Sequence, residues 1–199
     1  MADRKIASRS ALAGLAKSGA LGALKGVPGV RIREITNFAA IGIIARRGRS
    51  AEVATILSRH VGSPVVDAAK RAGVGALTVT GTAPGQWLAV SRDARVSLDQ
   101  LRAELAGLAA VSDQGDGRLI IEVTGSRTRD ALAKGIAIDL DASAFKVGDA
   151  AQTSAAHIGL QIARIDDAPT FEIISARSTA ASFWSWLEAS AAEYGIDVA

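Results

Sequence analysis

The sequence predicts an α+β fold of two similar βαββα-like lobes, with mixed, largely antiparallel sheets covered by helices. Three observations carry this. Each half runs strand, helix, strands, helix by its hydrophobic periods. A β-branched run, Val74 to Thr80, is followed by turn residues and a returning strand, Trp87 to Val90, the pattern of a hairpin. The 199 residues are 49% hydrophobic but only 4% aromatic, so Ala and Gly supply much of the bulk and helices can lie close on sheets. The expected organisation is a flexible basic N-terminal arm over 1–27, a first lobe over 28–110 and a second lobe over 111–199.

Residues 1–27 scatter four leucines among glycines, alanines and lysines and have little to bury. They read as a disordered arm or as one that orders on a partner. Val30 to Ile35 alternates as a strand, and Phe38 to Ala45 is nearly all apolar, as in a strand buried on both faces. Val53, Ile56, Leu57 and Val61 have helical spacing, ended by Gly62-Ser63-Pro64. After the hairpin, Ser97 to Gln100 fits a capping box ahead of a leucine stripe at 98, 101, 105 and 108. In the second half, Leu119 to Val123 is a strand. Ser126 to Lys134 is a helix closed by Gly135, and 150–156, 158–165 and 170–174 are strands. Asp166-Asp167-Ala168-Pro169 is turn chemistry, and Ser178 is placed to cap the last helix.

That last helix is unusually aromatic. Phe183, Trp184, Leu187 and Tyr194 fall on one arc with Trp186 beside it, together roughly 160° wide against the ~100° that seats one helix on one sheet. Either the helix is deeply buried in its own domain, or one flank faces a partner. Charge is also uneven. Residues 1–49 hold ten Lys/Arg against Asp3 and Glu34, a net +8, and residues 50–199 hold thirteen against eighteen, a net −5. The basic end could meet an acidic protein surface. Phe38 is its only aromatic, which argues against nucleic acid.

No catalytic, cofactor or metal site is legible. There is no cysteine and there are only two histidines, His60 and His157, so a zinc site built on them is not expected. No GxGxxG, phosphate loop or GxSxG elbow occurs. Asp166-Asp167, Asp139 with Asp141, and Arg127 with Arg129 each read first as turn or solvent-facing residues, and His157, beside strand positions, reads as a structural or exposed histidine. An anion or partner contact is the other reading for the two arginines. No apolar run reaches the ~20 residues of a membrane span and no secretory signal is convincing, so a cytoplasmic protein without membrane contact is expected.

The C-terminal half resembles the gamma subunit of heterotetrameric sarcosine oxidase. The matching residues are Asp113-Gln114 with Gly117-Arg118, Gly125, Ala133-Lys134-Gly135, Asp139-Leu140, Phe145, Gly148, Gln152-Thr153, Asp167 to Glu172, Arg177-Ser178 and Trp184 to Leu187. The first half is similar more loosely, at Arg46-Arg47-Gly48 and Gly85 to Leu88. One departure is Gln114-Gly115-Asp116-Gly117, where the family tends to have Gln-Ser-His-Gly, so any role of that histidine is absent here.

The resemblance implies an accessory subunit of a complex that demethylates sarcosine to glycine. The products are hydrogen peroxide and either formaldehyde or methylene-tetrahydrofolate. It implies alpha, beta and delta partner subunits and FAD, FMN, NAD and zinc held on those other subunits. It also implies a fold similar to the folate-binding lobes of aminomethyltransferases. The interface candidates are then Trp184, Trp186, Arg177, Arg46 and Arg47. The alternative is a stand-alone folate-binding one-carbon transfer protein.

Overall fold

A computed structural model describes residues 9–22, 26–93 and 97–199. Its elements in chain order are β1 (Gly19–Leu21), β2 (Val30–Glu34), β3 (Ala39–Ala45), α1 (Ser50–Val61), β4 (Arg71–Ala72), β5 (Leu77–Ala83), β6 (Gln86–Ser91), α2 (Asp99–Glu104) and β7 (Ala109–Asp113). Then follow β8 (Arg118–Thr124), α3 (Thr128–Ala133), β9 (Ala150–Ala155), β10 (Ile158–Arg164), β11 (Phe171–Ala176), α4 (Ala180–Ala191) and β12 (Ile196–Val198).

The strands form two sheets. The smaller has the order β4-β5-β6-β3-β7 and is antiparallel throughout. The larger has the order β1-β12-β2-β8-β11-β10-β9, with one parallel pair, β12 beside β2. The α+β class and the two-lobe plan are those read from the sequence.

The layers run helices, sheet, sheet, helices. Helices α1 and α2 cover the outer face of the smaller sheet through Val53, Leu57, Leu101 and Leu105 against Ile41, Ile43, Val79 and Trp87. Helices α3 and α4 cover the outer face of the larger sheet through Leu132, Phe183, Trp184 and Leu187 against Ile121, Val123, Ile162 and Phe171. The inner faces of the two sheets meet through Ala40, Leu88, Val90, Ile120 and Ile174.

Two segments sit elsewhere than the linear reading puts them. Strand β2, expected in the first lobe, lies inside the larger sheet between β12 and β8. Its apolar residues, Val30 and Ile32, are buried in the core beneath α4, while Arg31 and Arg33 point away. Strand alternation specifies a buried face but not which sheet supplies it. Residues 10–21 of the expected arm also pack on the larger lobe. Leu12 is 3% exposed in that core, Ser10 and Ala11 both donate to the Glu34 carboxylate, and β1 pairs with β12. Residues 1–8 and 23–25 of the arm lie outside the described residues.

Helix ends differ in detail. Ser97 Oγ accepts from Asp99 N at 3.0 Å while Gln100 reaches forward to Glu104, so the capping box is replaced by a tight turn. Ser178 lies in a 3₁₀ turn ahead of α4, and Thr179 donates to the Ala176 carbonyl instead of capping. The glycine at 62 closes α1 as expected, at φ 69°.

Candidate functional site

The contact between the sheets has three zones. At one end is a charge cluster. Arg71 of β4 and Arg92, just after β6, come from the smaller sheet. Glu122 of β8, Glu172 of β11 and Arg33 of β2 come from the larger one. Arg71 Nε donates to Glu172 at 3.1 Å, Arg92 bridges Glu172 and Glu122, and Arg33 reaches Glu122 from the rim. The Glu172 side chain is 1% exposed and that of Arg71 is 8% exposed. A carboxylate so deep is tolerated only because two guanidiniums meet it. Burial pushes the Glu122 carboxyl up. Hydrogen bonds from Arg33 and Arg92, with their charges, outweigh burial and hold it below the ordinary carboxylate range.

The middle zone is the apolar contact of Leu88 and Val90 with Ile120 and Ile174. At the far end the sheets part around a cavity of about 400 Å³. Gln114, Arg118, Gln152 and Gln161 line it, with Ile44 and Ile174 as apolar walls. Strand alternation puts them there: Gln161 and Ile174 are register partners on the inner face, while Leu160 and Ile162 turn outward to the helices. Arg118 donates to Gln114 Oε1 at 3.0 Å, and Gln152 donates to Gln161 Oε1 at 3.2 Å. Gln161 is 5% exposed and its Nε2 has no protein partner. The sequence marks Gln114, Arg118 and Gln152 only as separate pieces of a motif, and folding brings them to one cavity. Gln161 carries no linear signal, and neither does the pairing of Arg71 with the motif residue Glu172, because each depends on which strands face one another.

The interface candidates scatter. Trp184 is 4% exposed and belongs to the core of its own lobe, beneath Leu12 and beside Ile32 and Val198, so it offers no surface to a partner. Trp186 is half-buried, with its ring centroid 5.7 Å from that of Phe183 and its indole over Gly135. Tyr194 lies beyond α4 and carries Arg127 over its ring at 4.7 Å and Lys134 at 4.6 Å. Arg127 also pairs with Asp130 at 2.9 Å. Arg177 is half-buried and donates to the Arg9 carbonyl. Arg46 and Arg47 stand exposed at the corner between β3 and α1, with no ion pair among the described residues. His157 is exposed in the β9–β10 turn, and Asp139 and Asp141 organise a loop by accepting from the backbone of Asp141 and Ser143. Among the described residues no three His, Cys, Asp or Glu side chains converge to hold a metal ion.

Two sheets stacked face to face with helices outside define the class: a two-lobed α+β protein of the fold seen in aminomethyltransferases. The glycine cleavage system aminomethyltransferase T from Bartonella henselae superposes with a TM-score of 0.61 at 12% identity, over 86% of this chain and 48% of that one. A heterotetrameric sarcosine oxidase from Corynebacterium sp. U-96, in complex with pyrrole 2-carboxylate, contains a chain that superposes with a TM-score of 0.81 at 24% identity, over 94% and 96%. No curated protein matches the sequence. The model of the sarcosine oxidase, gamma subunit family matches residues 49–193, and the chain belongs to that family. It is a gamma-type subunit, and the stand-alone one-carbon transfer protein is not favoured. No helix among the described residues is long and apolar enough to cross a membrane.

Proposed function

We propose that the chain is the accessory gamma subunit of a cytoplasmic heterotetrameric sarcosine oxidase, assembling with alpha, beta and delta subunits that carry the reaction. Sarcosine is oxidised to glycine there, with hydrogen peroxide and either formaldehyde or methylene-tetrahydrofolate as products. FAD, FMN, NAD and zinc belong to those partners. The described residues of this chain do not fit zinc: no three His, Cys, Asp or Glu side chains converge among them, and the polar lining of the interlobe cavity is amides, hydroxyls and one guanidinium, not the imidazole, thiolate or carboxylate ligands zinc takes. The family match over residues 49–193 carries the reading. The contact surface is the exposed Arg46-Arg47 corner, met by an acidic face of a partner.

Co-expression of the full chain with the alpha, beta and delta subunits should give a stoichiometric complex that absorbs at flavin wavelengths. Arg46→Glu with Arg47→Glu should weaken it about tenfold or more at low salt and flatten its salt dependence. A chain that never copurifies with those subunits ends the proposal. A double variant that assembles like the parent removes the basic corner from it.

A further inference from the structure

The interlobe cavity supports a second reading that goes beyond assembly. Its volume, about 400 Å³, falls in the ~300–1,000 Å³ range of small-molecule sites. Arg118 is the only ionisable side chain in its lining and has no carboxylate partner among the described residues. Within that lining the charge is positive, although Arg118 also borders a neighbouring cleft that holds Glu34 and Asp116. At the floor, Gln161 gives its Oε1 to Gln152 while its buried Nε2 finds no acceptor in the protein. A buried N–H left unmet is unfavourable, so an acceptor atom placed there by a ligand would be rewarded. Gly159 lies at the same cavity, and a Cβ on it would meet nothing within 4 Å. Ile44 and Ile174 supply apolar walls for a flat body.

We propose that this cavity binds a small organic acid: its carboxylate pairs with the Arg118 guanidinium and its amide- or lactam-like edge meets Gln152 and Gln161. A guanidinium fork suits a carboxylate bidentately, and primary amides match an edge that both donates and accepts.

Titration of the full chain by calorimetry and amide-resolved NMR tests this with three probes. Orotate carries both a carboxylate and lactam edges, uracil only the edges, and benzoate only the carboxylate. Saturable orotate binding is expected, at least about tenfold tighter than either half-probe, with shifts centred on Arg118 and Gln161. Gly159→Ile, whose new side chain enters open space on a strand, should abolish it with the melting temperature unchanged. Arg118→Met should reduce orotate to the level of uracil. Absence of saturable orotate binding overturns the proposal, as does binding that survives Gly159→Ile. Should that variant not fold, Gln161→Leu decides: unchanged orotate affinity overturns the proposal, and a loss of about tenfold supports it. Copurification with partner subunits does not depend on any of these outcomes, so the two proposals fail separately.

Discussion

At Gly135 a Cβ would stand 2.6 Å from Trp186 Nε1 and 2.8 Å from two carbons of the same ring. The residue ends α3 as the sequence suggests, but the indole, not a left-handed backbone, demands glycine there. Gly135→Ala should destabilise the protein by about 1–3 kcal/mol through overpacking. The same substitution in a Trp186→Ala background should be nearly neutral. Denaturant melts of the four proteins complete the cycle, and an equal loss in both backgrounds would detach the glycine from the tryptophan. A second backbone position shows the opposite case. Ala156 at φ 47° and His157 at φ 69° form the two-residue turn between β9 and β10, a conformation that favours Asn-Gly. Ala156→Asn with His157→Gly should stabilise by about 1 kcal/mol, read as a higher denaturation midpoint. The break between strands at His157 is legible in the sequence, but the positive φ there is not, because nothing in its neighbours prescribes it.

At the level of elements, α4 explains its own broad aromatic arc. The larger sheet lies under it, the segment around Leu12 covers the Trp184 flank, and Gly135 after α3 seats the Trp186 flank. A helix enclosed on three sides needs more than one ~100° stripe. The sequence shows the width of the arc but not what fills it, since the covering segment looks too rich in glycine and lysine to be ordered. The packing of Leu12 sets an expectation. Leu12→Ala should lower stability by about 2–5 kcal/mol and shift Trp184 emission to the red as water reaches the indole. A loss within ~0.5 kcal/mol, the size of an ordinary surface change, would show that the segment is not part of the core.

At the scale of the whole molecule, the lobes are held by the Arg71, Arg92, Glu122 and Glu172 cluster as well as by apolar contact. Glu172→Gln leaves the buried Arg71 guanidinium against a neutral group, with Arg92 keeping Glu122 alone, and should lower stability by about 3–5 kcal/mol. The pH dependence has a definite sign. The folded Glu122 carboxyl is held below its ordinary value near 4.5, so its stabilisation is present above that pH and is lost as pH falls through the folded value. Glu122→Gln should therefore weaken the protein near neutrality and flatten the acid limb below about pH 4.5, as followed by thermal melts across pH. An acid limb unchanged by the substitution would place the titration elsewhere.

The sequence by itself determined the α+β class, most strands, α1 with its closing glycine, and the motif by which the family is reached. All of these follow from local period, turn chemistry or linear spacing. Tertiary structure alone decided that β2 joins the larger sheet, that Leu12 and Trp184 share a core, and that Arg71 meets Glu172. It also decided that Gln114, Arg118, Gln152 and Gln161 line one cavity. The reason is physical: alternation along a strand states that one face is buried, and only the stacking of two sheets states against what.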